Sequence, residues 1–261
     1  MISSYDAAIL ENQQLAPSIW RLQLDVAALA QQVRPGQFVQ VRVTNTYDPF
    51  LRTPLSVHDC DAKAGTIALL YQTVGTSTHA LSRLRPGASV NILGPLGNGF
   101  TLPPARSNGN FALLVAGGIG IAPLLFLARE LVAKKVSTRL LYGARTAADL
   151  TGIDAFEQLG VAVACCTDDG SQGLKGNVVD LLAGYLQSGA AGDVYACGPT
   201  PMLRALQQLV RSKGLAAQFS LEAYMACGLG ACLGCVVAVP GGGYAHVCTD
   251  GPVFKEREVE L

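Results

Sequence analysis

The sequence predicts a multi-domain chain: an antiparallel β-barrel, then an α/β domain on a parallel sheet, then a small cysteine-rich section at the C-terminus. Three observations predict this. Short strand-like runs with frequent turn signals fill the first hundred residues. Strand and helix patterns then alternate from Phe111 to Lys213. Four of the eight cysteines crowd the last 35 residues.

In the first section, Phe38-Val39-Gln40-Val41-Arg42-Val43 alternates apolar and polar with period two, behind a Pro35-Gly36 turn. Thr66–Tyr71 and Ser89–Leu93 are further strands, each introduced by a glycine, Gly65 or Gly87. Leu102–Asn110 has prolines, a glycine and polar residues without periodicity, which reads as a linker.

Phe111–Val115 opens the second section as a strand. Pro123–Lys135 follows as a helix, with Leu124, Leu127, Ala128, Leu131 and Val132 on one face and Pro123 suited to the first turn. Arg139–Tyr142, Val161–Cys166 and Asp193–Ala196 are strands, Asn177–Leu186 and Pro201–Lys213 helices, and Gly214 stops the last helix. This order predicts a parallel βαβ sheet. The expected boundaries are 1–102, 109–214 and 215–261.

Half of the 261 residues are hydrophobic and 15% are charged, enough to bury large cores in two domains plus an appendage. Nineteen basic residues balance nineteen acidic ones, so no charge excess points to nucleic acid or a membrane surface. Apolar runs fall short of membrane-spanning length, and the N-terminus has no basic-then-apolar leader pattern. A cytoplasmic location is expected. There, eight cysteines do not suggest a disulfide framework. Cys60, Cys165, Cys166 and Cys197 are expected as core or strand thiols.

The clustered cysteines are spaced Cys227-x4-Cys232-x2-Cys235-x12-Cys248. C-x4-C-x2-C with a more distant fourth thiolate is the ligand pattern of plant-type [2Fe-2S] sites. Glycine and alanine between the ligands let the loop wrap closely and aim backbone N–H groups at sulfur. Zinc is the competing reading, but it favours paired C-x2–4-C knuckles, and only one short pair exists here. His246 reads as an ordinary strand histidine, because four thiolates already complete the set.

Gly117-Gly118-Ile119-Gly120-Ile121-Ala122-Pro123 joins a predicted strand to a predicted helix, and Cys197-Gly198-Pro199-Thr200-Pro201 does the same further on. Such turns admit a pyrophosphate close to a helix N-terminus, where the dipole favours negative charge. The bland alternative for each is a tight βα connection. Both are predicted at the carboxyl edge of one sheet, the usual ligand-binding edge of such folds. In the barrel, Arg52-Thr53-Pro54-Leu55-Ser56 sets an arginine and a hydroxyl around a rigid proline, and Gly75-Thr76-Ser77-Thr78 offers N–H and hydroxyl donors. Alone, either is more simply a surface turn.

Together these segments resemble the ferredoxin–NADP reductase superfamily, and the C-terminal cysteines narrow the resemblance to the electron-transfer subunits of class 1B dihydroorotate dehydrogenase. PGQFV, RTPLS, GGIGIAP, TDDG, YACGP and CGLGACLGC occur in that family's order along the whole chain. The resemblance implies FAD on the barrel, held by Arg52, Thr53, Pro54, Leu55 and Ser56, lying along Leu70, Tyr71 and Gln72, with Gly75 and Thr76 at its phosphates. It implies NAD at Gly117, Gly118, Gly120, Cys197, Gly198 and Pro199, and the cluster on the four cysteines. Thr53 departs from the family pattern, where many relatives carry a second basic residue or an aromatic.

The implied activity is electron transfer between the FMN of a separate catalytic subunit, which oxidises dihydroorotate in pyrimidine biosynthesis, and NAD, by way of the cluster and FAD. No catalytic acid or base for orotate chemistry is expected on this chain, and a heterotetramer of two copies of each subunit is the implied assembly. Two rival readings stand beside it: a reductase subunit of a sulfide or hydrogenase complex, and a zinc-stabilised nucleotide-binding regulator without redox turnover. Arg145, after the second strand of the nucleotide domain, is placed to meet a 2′-phosphate, yet NAD is expected on family grounds.

Overall fold

The computed structural model describes residues 2–44, 46–103, 111–189 and 192–261. Most of the expected linker, residues 104–110, lies outside the described residues.

The first section is a closed barrel of six antiparallel strands. They are β1 (Ser3–Ala16), β2 (Ile19–Asp25), β3 (Phe38–Arg42), β4 (Thr53–Asp61), β5 (Thr66–Gln72) and β6 (Ser89–Leu96), in the order β1-β2-β5-β4-β3-β6. Two short helices, α1 (Ala27–Ala30) and α2 (Thr76–Ser82), bury Leu29 and Leu81. Inward residues alternate along the strands, so Leu22, Leu24, Val39, Val41, Ile67, Leu69 and Ile92 fill the interior. The fourteen-residue β1 escapes the sequence reading because its polar SSYDAAILENQQLA run carries only two fully buried residues, Ala7 and Ile9.

The second section is a seven-stranded sheet. Its strands are β7 (Phe111–Gly117), β8 (Ser137–Ala144), β9 (Ala162–Thr167), β10 (Leu174–Lys175), β11 (Asp193–Cys197), β12 (Ala217–Ser220) and β15 (Val253–Lys255), ordered β10-β9-β8-β7-β11-β12-β15. All neighbours are parallel except β12 and β15. Helices α3 (Leu124–Ala133) and α4 (Ile153–Gln158) bury Leu124, Leu127, Leu131 and Phe156 in one core. Helices α5 (Val178–Gln187) and α6 (Thr200–Ser212) bury Val178, Leu182, Leu203, Leu206 and Val210 in another. Asn177 caps α5, its Oδ1 accepting the Val179 and Asp180 N–H groups at 2.9 and 3.1 Å.

Near the C-terminus, β13 (Val236–Ala238) and β14 (Tyr244–His246) form a small hairpin beyond the cysteine loop. The expected boundary at 214 falls just before β12. That strand pairs with β11 as a full member of the sheet; it is not read from the sequence because four residues are too few to display a period. The C-terminal section also returns β15 to that sheet. Phe38 and Leu96 of the barrel, Val115 and Ala196 of the sheet, and Cys235, Val247 and Cys248 share one core. Asn98 stitches barrel to C-terminal section, its Nδ2 donating to the Thr249 and Asp250 carbonyls at 2.9 and 3.0 Å.

Candidate functional site

The two glycine turns leave adjacent strands at the same edge, β7 ending at Gly117 beside β11 ending at Cys197. They are packed against each other. A Cβ on Gly120 would land on the Cys197 carbonyl, and one on Gly117 would stand 2.5 Å from the Met202 sulfur. Gly118 sits at φ +54°, a left-handed conformation that glycine adopts without strain. Above them opens a cavity of about 860 Å³, lined by Gly117, Gly118, Gly120, Gly198 and Pro199 and bounded on the barrel side by Ile19 and Gln72. Cys197 is buried behind it, its thiol pushed far up by burial and then by neighbouring Glu222.

The far end of the cavity is lined by Arg145, Asp149, Asp168, Asn177 and Asp180. Arg145 reaches toward Asp149 at 4.0 Å. Three carboxylates around one arginine suit the hydroxyls of a ribose better than an added phosphate.

The barrel residues form a separate group. Thr53, Pro54, Leu55 and Ser56 begin β4 half-exposed, and Val74, Gly75 and Thr76 are exposed at the start of α2. Hydroxyls, apolar surface and first-turn N–H groups fit a flavin and its phosphates. The Arg52 guanidinium is partly committed to the barrel, donating to the Gln40 and Asn91 carbonyls at 3.3 and 3.1 Å and to Asn91 Oδ1 at 2.5 Å. Leu70 is buried toward the nucleotide domain, whereas Tyr71 turns into the barrel and donates to Asn12 Oδ1 at 3.0 Å. Of these barrel residues, only Gln72 lines the nucleotide cavity.

The cysteine loop gathers its four thiols into two pairs. Cys227 lies within hydrogen-bond reach of Cys232, and Cys235 of Cys248. Two pairs, rather than one tetrahedral knot, suit two metal ions bridged by sulfide and fit a [2Fe-2S] cluster. Backbone N–H groups are aimed at sulfur: Leu229 and Cys232 donate to Cys227 at 3.3 and 3.4 Å, and Gly230 donates to Cys248 at 3.2 Å. The first two hold the Cys227 thiol down at about 6. Burial, followed by the neighbouring Cys235, pushes Cys248 up to about 11. Cys235 and Cys248 are buried, whereas Cys227 is half-buried and Cys232 exposed. The pairs thus run from the core to the surface. The loop's backbone demands positive φ at Gly228, Gly230 and even Leu233, which at +56° is unusual for a residue with a side chain.

The scattered cysteines are strand thiols, as expected. Cys166 and Cys197 are buried, and Cys60 and Cys165 half-buried.

Three residues escaped the sequence reading. Glu222 lines the cavity, and burial raises its carboxyl above the usual range. His58, buried on β4, joins barrel to nucleotide turn through Nδ1 and the Ala122 carbonyl at 2.8 Å, and burial drives its ring down to about 4. Gln40 is fully buried although the period-two pattern places it on a polar face. None stands in a recognisable motif; the burial of His58 and Gln40 is created by contact between sections distant in sequence, whereas Glu222 is solvent-accessible at the cavity wall.

Three family profiles match consecutive parts of the chain: an oxidoreductase FAD-binding domain over residues 6–100, an oxidoreductase NAD-binding domain over 114–208, and the iron-sulfur cluster binding domain of dihydroorotate dehydrogenase B over 222–260. The dihydroorotate dehydrogenase B (NAD(+)) electron transfer subunit of Geobacillus thermodenitrificans is 41% identical, covering 100% of both chains. Its counterpart from Desulforamulus reducens is 38% identical over 99% of each. A solved NADH-dependent reduced ferredoxin-NADP oxidoreductase structure, described for flavin-based electron bifurcation, superposes with TM-score 0.87 at 30% identity, covering 97% of this chain and 89% of that one. The ferredoxin reductase in carbazole 1,9a-dioxygenase shares the fold, with TM-score 0.70 at 23% identity, covering 82% of this chain and 67% of that chain.

Proposed function

Because the chain belongs to the family of dihydroorotate dehydrogenase B electron-transfer subunits, we propose that it carries electrons between the FMN of a dihydroorotate-oxidising catalytic subunit and NAD, in pyrimidine biosynthesis, in a heterotetramer of two copies of each chain. The observation that carries this reading is spatial. The nucleotide cavity and the thiol site share one barrel–sheet core: Val178 and Met202 line the cavity, and Cys235 and Cys248 belong to the same core. When bound, FAD supplies the exchange between a two-electron hydride carrier and a one-electron cluster.

The chain's own residues bind, orient and shield. Gly117, Gly118, Gly120, Gly198 and Pro199 receive the nicotinamide nucleotide, backed by Cys197. Arg145 and its surrounding carboxylates favour NAD over NADP. Ser56, Thr53, Pro54 and Leu55 hold the flavin ring from β4, while Arg52, Gly75 and Thr76 address its diphosphate; β5 lies along it through Gln72, with Leu70 buried behind and Tyr71 turned into the barrel. Glu222, partly desolvated, holds its proton to higher pH than an ordinary carboxyl and so offers a donor at the cavity wall. Cys227, Cys232, Cys235 and Cys248 ligate the cluster. Around its exposed end, Tyr224, Leu229, Leu233 and Tyr244 expose apolar surface that suits a docked subunit.

The match to the electron-transfer subunits exceeds that to the bifurcating oxidoreductase and favours the dihydroorotate reading over other reductase complexes. The test is anaerobic purification followed by flavin, iron and sulfide analysis, then assay with and without an FMN-containing dihydroorotate dehydrogenase. Dihydroorotate-dependent NAD⁺ reduction is expected only with both chains together. A colourless, zinc-containing protein would sink the redox reading; full turnover with no partner chain would sink the subunit reading.

A further inference from the structure

Gln40 projects from the barrel, and what covers it is the cysteine loop. On β3, Val39 and Val41 point into the barrel core, so Phe38 and Gln40 point outward, where Phe38 joins the core containing Cys235 and Cys248. Opposite them β6 carries a bulge: Phe38 pairs with Leu96 and Gln40 with Leu93. Across the other edge Gln40 pairs with Pro54 of the flavin segment. Its side chain therefore lies between the strand expected to hold the flavin and the loop expected to hold the cluster.

Two details show how close the loop comes. A Cβ on Gly228, the residue after Cys227, would stand 2.9 Å from both Gln40 Cγ and Gln40 Nε2. The Gln40 residue is 0% exposed, and neither Nε2 nor Oε1 has a hydrogen-bond partner. A buried carboxamide left unpaired costs about 1–3 kcal/mol for each group, and apolar residues fill the same kind of site without that cost. By contrast, the other buried glutamine, Gln207, is fully engaged, with Nε2 donating to the Glu256 and Val259 carbonyls at 2.7 and 2.8 Å. Gln40 is thus a donor held in reserve against the cysteine loop.

We propose that Gln40 is a positioning residue for the iron–sulfur cluster: its carboxamide N–H, kept unpaired by burial under Gly228, donates to the sulfur atoms of the Cys227 side and favours the reduced cluster. This rests on the cluster reading of the four cysteines. Sulfur carries more negative charge in the reduced state, so a donor there stabilises reduction and raises the potential. The residue then sets the cluster's potential relative to the flavin on the other side of β3.

The test is a redox titration of the purified FAD- and cluster-loaded chain, followed by the cluster's electron paramagnetic resonance signal, for wild type, Gln40→Leu and Gln40→Asn. Gln40→Leu keeps the volume and removes the donor; Gln40→Asn keeps the amide and shortens its reach. Each is expected to lower the reduced-to-oxidised ratio at the wild-type midpoint roughly five- to tenfold, given the strength of a hydrogen bond to a charged group; tenfold is about 59 mV for one electron. An exchangeable-proton coupling to the cluster, seen in wild type after transfer to D₂O, is expected to vanish in Gln40→Leu. An unmoved cluster midpoint with the coupling intact overturns the proposal, as does a shift confined to the flavin couple. If wild type shows no cluster signal, the cluster reading itself fails and this proposal with it. Should Gln40→Leu fold poorly, the Gln40→Asn titration decides.

Discussion

Two glycine-rich loops in this chain use glycine for different reasons. In the nucleotide turns the requirement is mostly space: Gly120 has the Cys197 carbonyl over it, and Gly117 and Gly198 both face Met202. Only Gly118 there sits at positive φ. In the cysteine loop the requirement is conformation. Gly228 and Gly230 sit at φ +71° and +77°, Leu233 is pulled to +56°, and a Cβ on Gly234 would meet, beyond its chain neighbours, nothing nearer than the Cys232 sulfur at 3.9 Å. One loop is held in shape by the sheet beneath it. The other is bent into the shape that the proposed cluster ligation by its four thiols requires.

The largest expected effect separates the two loops outright. Cys232→Ser removes a ligand from the exposed thiol pair. Iron content is expected to fall and transfer to the catalytic subunit to drop by on the order of 100-fold, because a one-electron relay has lost its carrier. NADH-driven reduction of the flavin should stay within about twofold of wild type, since the nucleotide turns owe nothing to the cluster. Stopped-flow absorbance measures both steps, and a normal cluster with normal transfer refutes the ligand assignment.

The converse change is Gly120→Ala. Its methyl group meets backbone rather than a mobile side chain, so the two turns must separate, at roughly 3 kcal/mol. NADH-driven flavin reduction is expected to slow by more than about tenfold. The cluster's visible spectrum should survive. Loss of the cluster spectrum in a folded variant would show that the loops are not independently held.

Much of this division was legible in the sequence, and the reasons are physical. Spacing alone marks Cys227, Cys232, Cys235 and Cys248 because cluster ligation demands residue types at fixed separations. GGIGIAP and CGP are legible because a strand-to-helix turn demands glycine locally. Gln40 misleads because period two reports which face of a strand is polar, not what covers that face. The cover comes from Gly228, 188 residues away in the chain. His58 is hidden for the same reason, since its burial arises only where sections meet, and Glu222 becomes part of the cavity wall only once the chain has folded. Strand β12 is missed because four residues cannot show a period.

His58 offers a way to stress the packed loop without touching it. The neutral ring is buried between β4 and the turn, with its Nδ1 at the Ala122 carbonyl. Burial is the main cause that takes it from 6.5 down to about 4, against smaller raising effects from that carbonyl and Asp59. The unfolded chain therefore takes up the proton first. Stability from this group is complete above pH 6.5 and is lost as pH falls toward 4, by about 3 kcal/mol in all. Urea unfolding at pH 7 and pH 4.5 is expected to show most of that loss in wild type, and His58→Gln should flatten it. An equal slope in both proteins would assign the acid sensitivity elsewhere.

The smallest effect tests what glycine does in the cysteine loop. A Cβ at Gly230 would stand 2.9 Å from Thr249 Cγ2 and would also occupy φ +77°. The left-handed backbone costs about 1–2 kcal/mol for a residue with a Cβ, and the contact adds to it. Gly230→Ala is thus expected to destabilise the loaded protein by roughly 2 kcal/mol. Thr249→Ala clears the contact but leaves the backbone strained, so the double variant should recover only part of the loss. Thermal unfolding of the four proteins of this cycle separates the two causes. Full recovery would mean that space, as in the nucleotide turns, is the whole requirement, and the contrast between the loops would disappear. Partial recovery would leave a residual cost that belongs to conformation alone.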